Sequence, residues 1–427
     1  MTDSLAQRAH VREIAEAALR AADPVSSTRE ALAGGATEIL SVGQASGTPR
    51  IHLLGAGKAV SGMAAGALDY FGTRVVGGVL AGPLGTGKIG PLDLVPAGHP
   101  TPDAGSVQAG NEMLAYLPGL EPGDGVVFLL SGGASAMLER PRAGIPLDSL
   151  VAINEALLQR GAAIEDLNAI RTCLSEIKGG GLGAAIAEHP LLTLAISDVV
   201  GDAPEVIGSA PTVACRCETN DSIATFRSLR LPMAVIEPAI KAAQEPGAGA
   251  GARGPRDYRL VATATDGLVA ARRSAERLGY SVVECVNGFA GDAQEAGESL
   301  ARAVTEEVGD GRCWLRAGET TVAVFGDGLG GRNQEVALAS SRALDGVRGV
   351  AVAAIGTDGI DGPTPAAGAI ATGTTWSRAR RLGMDPGGYL RANDSYNFFA
   401  ELGDLVYTGA TGTNVMDLHI GLKMEQE

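Results

Sequence analysis

Short apolar runs that end in glycine and lead into alanine-rich stretches recur along this chain, and that repeat limits the folds open to it. Residues 51–54 lead into GAGKAVSGMAAGALDYF, residues 126–130 into SGGASAMLE, and residues 260–264 into TDGLVAARRSAERLG. Residues 191–196 before SDVVGD and 350–355 before GTDGIDGP follow the same pattern. Continuous apolar strands alternating with helices predict a parallel α/β architecture with both sheet faces covered. In such sheets ligands bind beyond the carboxyl ends of the strands, where these turns fall. The 427 residues include 61 glycines and 21 prolines, short of the roughly 25–30% that marks low-complexity sequence. The glycines therefore shape turns inside a folded protein.

At roughly 100–200 residues per domain the length predicts two or three domains. Hydrophobic residues make up 45% and charged residues 19%, enough for a sizeable core and against intrinsic disorder. The net charge of −15 excludes a nucleic-acid partner, because a phosphate backbone selects basic patches. Small anions remain open, since a few local cations or amides hold them. Five scattered cysteines read as reduced thiols of a cytosolic protein. Cys215 and Cys217 lack a second pair or a nearby histidine, so no zinc site is expected. The amino terminus carries charges where a signal peptide needs an apolar run. Uncharged stretches such as residues 125–138 fall short of the ~20 residues of a membrane helix. The expectation is a soluble, cytoplasmic protein, a monomer or homodimer, with no membrane partner. Residues 245–256, EPGAGAGARGPR, read as a linker, dividing the chain into domains 1–245 and 257–427. The alternation in TTVAVFGDGLGG predicts an antiparallel or mixed hairpin ending in a glycine turn.

Two nucleotide fingerprints come close and fail. Gly82 to Lys88 has P-loop spacing, but Ile89 stands where a hydroxyl should meet the ion, and Pro91 and Pro96 forbid the following helix. Gly55-Ala-Gly57-Lys58 has Val60 where a dinucleotide turn needs its third glycine, and no acidic residue ends the next strand. Lys58 is nonetheless expected in the first turn of a helix, among free amides that welcome an anion; the alternative is an exposed helix lysine. In Ser131-Gly132-Gly133-Ala-Ser135 the glycines let amides approach a ligand and the serines add hydroxyls. No G-x-S-x-G accompanies them, so phosphate or carboxylate binding is preferred over a serine hydrolase.

Arg171, Ser175 and Lys178 fall at i, i+4 and i+7, on one face of a predicted helix that Gly179, Gly180 and Gly181 then break. Two cations beside a new helix start read as a polyphosphate cradle. Asp198, Asp202, Asp358, Asp361 and Asp394 lie at other strand ends, as turn caps or as the one or two carboxylates that Mg²⁺ needs beside phosphate oxygens. Arg332 opens a helix after a glycine-rich turn and is a good bidentate partner for phosphate or carboxylate.

Taken together, LLSGGASAML, RTCLSEIKGGGL, ISDVVGD, GETTVAVFGDGLGGRNQEVALA, GTDGIDGP, NDSYNFFAELGD and TGATGTNVMDL resemble the glycerate 2-kinases of the MOFRL type, in the same order from about Leu53 to Leu422. The resemblance implies ATP-dependent phosphorylation of D-glycerate to 2-phosphoglycerate with Mg²⁺ or another divalent cation. It also implies two α/β domains, an N-terminal Rossmann-like parallel sheet and a smaller C-terminal MOFRL domain, with the active site in the cleft between them. The last ~30 residues are a candidate to pack back on the first domain.

The family's cleft lysine matches Lys58, its phosphate-side arginine Arg332, and its acidic site residue Asp198. Three departures stand out: Val200 for a proline, Arg316-Ala317 for a Ser-Gly pair, and Pro365 for an aspartate. On this reading Lys58 and Arg332 take the γ-phosphoryl oxygens. Ser131, Gly132, Gly133, Ser135, Lys178, Gly179, Gly180, Asn333 and Glu319 hold ATP. Arg171, Lys178 and Asp394 hold glycerate. Asp198 is base or metal ligand, and Asp358 is a second metal candidate. The rivals are an NAD(P)H-dependent hydroxypyruvate reductase, which some family members are labelled, and a catalytically dead metabolite-binding protein.

Overall fold

The computed structural model describes residues 2–41, 49–83, 87–162, 164–215, 219–244, 254 and 256–425. The predicted apolar runs are strands, and they assemble into two sheets that belong to separate compact units, Pro24–Val261 and Met1–Asp23 with Ala262–Glu427.

The first unit carries β1 (Ile51–Ala56), β2 (Val75–Gly82), β3 (Gly87–Ile89), β4 (Leu92–Pro96), β5 (Gly125–Leu130), β6 (Leu191–Ile196) and β7 (Arg256–Ala262), in the order β3-β4-β2-β1-β5-β6-β7. Strand β1 is buried at every position and runs parallel to β2 and β5. That continuous burial suits its largely apolar sequence, and its one polar side chain, His52, is buried with hydrogen bonds to Tyr116 and Asp124. Ala56 stands level with Ala81 and with Leu130, and Leu130 with Ala195. The turns after β1, β5 and β6 therefore emerge along one edge of the sheet. Gly57 opens the first of them at φ +124°, where a Cβ would overlap the carbonyl oxygen of Ser131. Only glycine permits that crossing of two turns.

The second unit carries β8 (Ser281–Asp292), β9 (Arg312–Thr321), β10 (Val350–Gly356), β11 (Gly368–Thr372), β12 (Leu405–Val406) and β13 (Asp417–Lys423), in the order β12-β11-β10-β13-β9-β8. Here the expectation of a parallel sheet needs correction. Strand β10 is antiparallel to both β11 and β13, and only β8 and β9 pair in parallel. A strand buried on both faces has the same apolar sequence whichever way its neighbours run. The predicted hairpin in TTVAVFGDGLGG is also absent. Strand β9 stops at Thr321, and the Asn393 side-chain oxygen accepts from the amides of Phe325 (2.8 Å) and Gly326 (3.1 Å), withdrawing them from any ladder.

Both ends of the chain lie differently from the sequence boundary. The helix Thr2–Ala21 buries Val11, Ile14, Ala15 and Ala18 in one cluster with Ala264, Leu268, Ala271 and Ala275, so residues 1–23 belong with the second unit. Asp417–Lys423 form β13, an inner strand of the second sheet between β10 and β9. Cys173 is disulfide-bonded, which corrects the expectation of reduced thiols throughout; Cys215, Cys285 and Cys313 are free. Spacing along the chain carries no signal for such a pairing. Cys217, most of the 245–256 linker and residues 84–86 of the P-loop-like segment lie outside the described residues. No helix among the described residues is long and apolar enough to cross a membrane.

Candidate functional site

The candidate residues fall in both units. In the first, the turn after β1 interlocks with the turn after β5. The Lys58 amide donates to the Gly132 carbonyl at 2.9 Å, the Ala59 amide to the Ser131 hydroxyl at 3.0 Å, and the Ser131 amide to Ala56 at 3.1 Å. These bonds correct one expectation. Lys58 precedes the helix Val60–Phe71 rather than lying in its first turn, and its amide is engaged. The buried Ser131 hydroxyl accepts from the Ala59 amide and ties the two turns together. What faces outward is the half-buried Lys58 side chain, beside Gly132, Gly133 and half-buried Ser135. The amides of Gly132 and Gly133 donate to no described residue. A Cβ on Gly133 would lie 3.4 Å from the Lys58 Cγ and 3.0 Å from the His99 Cδ2. Sequence reading missed His99, which follows β4 and carries no motif of its own. Asp198 is half-buried in the loop after β6, two residues past the end of that strand.

The predicted polyphosphate cradle at Lys178 to Gly181 is not an open one. The helix Ile164–Leu174 ends before Ser175, so Arg171, Ser175 and Lys178 do not share a helical face. Lys178 is 1% exposed and its ammonium pairs with the equally buried Glu139 carboxylate, while also donating to the Leu138 carbonyl at 3.4 Å. Burial pushes the Lys178 ammonium below its usual range, and Glu139 opposes that shift. The amides of Gly179 and Gly180 donate to Ser209 (3.0 Å) and Ala210 (2.7 Å), leaving none for phosphate. Gly180, at φ +87°, lies against Ala214, whose Cα would be 2.8 Å from an added Cβ. The glycine run is thus a packing device. Arg171 donates its Nε to the Asn154 side chain at 3.0 Å.

In the second unit Arg332 is the first residue of the helix Arg332–Leu344. Its Nε and Nη2 form a fork to Asp417 at 2.6 and 3.2 Å, and its Nη1 meets Glu319 at 2.5 Å. Asp417 is 2% exposed and Glu319 is 51% exposed. Asp417 fixes the guanidinium, and Glu319 is the partner able to swing away. Asp417 escaped sequence reading because nothing in NVMDL marks it. Asp361 is buried and accepts from the amides of Asn333 (3.0 Å) and Gln334 (2.8 Å), holding the first turn of the same helix. Burial, the largest influence, pushes its carboxyl up to about 7.

The sign for stability follows from that shift. Between the unfolded carboxyl value near 4 and the folded value, the native chain keeps a proton that the unfolded chain has lost. Asp361 therefore makes stability fall as pH rises from about 4 to about 7. In urea titrations at pH 5 and pH 8, the excess stability of wild type over Asp361→Asn should shrink at the higher pH; parallel behaviour would refute the assignment.

Several other expected site residues have structural duties. Asn333 donates its side-chain amide to Asp361 at 3.3 Å. Half-buried Asp394 accepts at one oxygen from the Leu329 amide at 2.9 Å and from Asn397 at 2.7 Å, and so braces the glycine-rich turn before Arg332. The Asp358 carboxylate accepts from the Ile360 amide at 3.1 Å. Of the three departures, Arg316 is a buried partner of Glu284 over the Phe289 ring, and Val200 and Pro365 are exposed. Opposite Arg316 in the ladder, buried His419 is pushed down to about 3 by burial first and by Arg316 and Arg332 next, so it stays neutral.

Residues 10–244 match the model of a domain of unknown function, DUF4147, and residues 312–417 match the MOFRL family. A D-glycerate 2-kinase of Thermotoga maritima is 34% identical over 387 residues, covering 87% of this chain and 90% of its own. A glycerate kinase of Homo sapiens is 34% identical over 87% of this chain and 84% of its own. The crystal structure of a glycerate kinase from Thermotoga maritima superposes with a TM-score of 0.85 at 32% identity, covering 97% of this chain and 99% of that one.

Proposed function

Because this chain belongs to the glycerate kinase family and carries its MOFRL domain, we propose that it transfers the γ-phosphoryl group of ATP to the 2-hydroxyl of D-glycerate. The observation that carries this reading is the Lys58 side chain beside the Gly132 and Gly133 amides, which have no acceptor among the described residues, at the aligned carboxyl ends of β1 and β5. It occurs in a chain matched over nearly its whole length by a structure of that name. Phosphoryl transfer asks the protein mainly for positioning and charge neutralisation. Lys58 supplies a cation to the γ-phosphoryl oxygens, and the two glycine amides, with Ser135, supply hydrogen bonds to phosphate. Arg332 supplies the second cation once Glu319 releases Nη1, while Asp417 keeps the guanidinium plane oriented. Arg171 is the cation proposed for the glycerate carboxylate. The residues of both units serve one reaction, and excluding water from the phosphoryl group favours transfer over hydrolysis.

Among the described residues no group of three or more side chains could hold a metal ion. A Mg²⁺ carried by nucleotide phosphates needs only one or two carboxylates, and half-buried Asp198 offers that hard oxygen donor. The donor chemistry fits, with Asp198 and then Asp358 as the residues that would hold the ion. When bound, the ion neutralises charge on the phosphoryl oxygens. In its other proposed role Asp198 takes the proton of the 2-hydroxyl as the new O–P bond forms and the bond to ADP breaks.

The test is ADP release from ATP, Mg²⁺ and D-glycerate, with ³¹P NMR locating the new phosphate on C2. Glycerate-dependent ADP is the expected result. Silence in that assay together with NADH oxidation by hydroxypyruvate would replace the kinase with the reductase.

A further inference from the structure

Five arginines gather at the end of the second sheet remote from Arg332, in a chain whose net charge is −15. They line an open cavity of about 1020 Å³ that lies wholly within the second unit. Arg8 and Arg12 come from the N-terminal helix Thr2–Ala21, Arg348 from the loop before β10, and Arg378 and Arg381 from the helix Thr375–Arg381. Asp404 is the one acid among the described lining residues. It is 2% exposed and serves as an anchor: Arg8 meets it at 2.8 Å, and the single nitrogen Nη1 of Arg378 donates to both oxygens at 2.9 and 3.2 Å. Arg378 also donates to the Leu402 carbonyl at 2.6 Å. Arg12, Arg348 and Arg381 have no ion-pair partner among the described residues.

We propose that this cavity is a binding site for a small organic anion bearing at least two phosphoryl or carboxylate groups. The helix dipole accounts for cations at the end of the Thr375–Arg381 helix, but not for Arg8, Arg12 and Arg348, which arrive from two other segments. Guanidinium groups that line one cavity repel one another, which an oxyanion between them relieves, and their planar forks match phosphate and carboxylate oxygens. Asp404 satisfies the inner pair only, so the positive charge of the rim faces the open space. The volume suits a metabolite rather than a single ion. The site is distinct from Arg332 and Asp417. Gly356 of β10 stands opposite Asp417 and Val350 opposite Lys423, so the two sites are separated by the length of β10, about 20 Å. The assignment does not depend on the kinase reading.

The experiment titrates inorganic pyrophosphate and, separately, citrate into the full-length protein at low ionic strength, following heat release and melting temperature. A Lys58→Met background removes the cation of the first unit, so that binding there does not obscure the signal. The expected result is saturable binding of at least one anion. Arg348→Glu/Arg381→Glu should weaken it about tenfold or more while leaving turnover unchanged in the Lys58 protein. Arg348→Gln/Arg381→Gln repeats the test should the charge reversals impair folding. Preference for pyrophosphate identifies a phosphoryl ligand, and preference for citrate a polycarboxylate. No binding of either anion, or binding indifferent to Arg348 and Arg381, overturns the proposal.

Discussion

Replacing Lys178 by methionine is expected to lower the unfolding free energy by about 3–5 kcal/mol. The substitution keeps most of the side-chain volume and leaves the Glu139 carboxylate, 1% exposed, without its ammonium. An uncompensated buried charge is among the few changes that reach this size. Arg171 also interacts with Glu139, but its Nε is committed to Asn154, so it offsets only part of the lost ammonium charge. Removing both charges in Lys178→Met/Glu139→Leu should restore most of the lost stability, because desolvation of the pair offsets much of its attraction. Urea unfolding of the two variants measures both numbers. Turnover of the double variant within a few-fold of wild type assigns Lys178 to the fold. A well-folded double variant without activity would return Lys178 to the ligand set.

The second large effect concerns chemistry rather than stability. Lys58→Met is expected to reduce kcat by about 10²–10³ with little change in melting temperature. Lys58 is half-buried in a turn held by its backbone, through the Gly132 carbonyl, the Ser131 hydroxyl and Ala56, none of which the substitution touches. An interaction strengthened as charge builds on the transferring phosphoryl group lowers kcat and kcat/KM together, whereas uniform binding raises KM alone. Steady-state kinetics with D-glycerate and ATP separate the two. A kcat within a few-fold of wild type would remove Lys58 from the mechanism.

These two lysines show what reading along the chain reports and what it leaves out. Lys58 was legible because its placement is local: an apolar run, a glycine that must turn, then a helix. The same local grammar marked Arg332 after GLGG and Asp198 after β6. Lys178 carried an equally suggestive signal, a cation beside three glycines, yet its ammonium is buried against Glu139. Its partner lies 39 residues away in sequence, and its glycines face residues 209–214 instead of a ligand. Asp394 and Ser131 likewise have hydroxyl or carboxylate chemistry that a ligand could use, and each also hydrogen-bonds a neighbouring turn.

By itself the sequence determined the strands, the turns that follow them and the family, because periodicity, glycine placement and long ordered motifs are properties of contiguous residues. Tertiary structure alone decided which polar groups remain available. It closed the Lys178 cradle and gave Arg332 its fork to Asp417, 85 residues distant. It turned β10 antiparallel between its neighbours, moved the N-terminal helix onto the second unit, and gathered five arginines from three segments around Asp404. The physical reason is the same in each case. Hydrogen bonds, ion pairs and burial depend on separations in space, and residues far apart in the chain acquire those separations only when the sheets form.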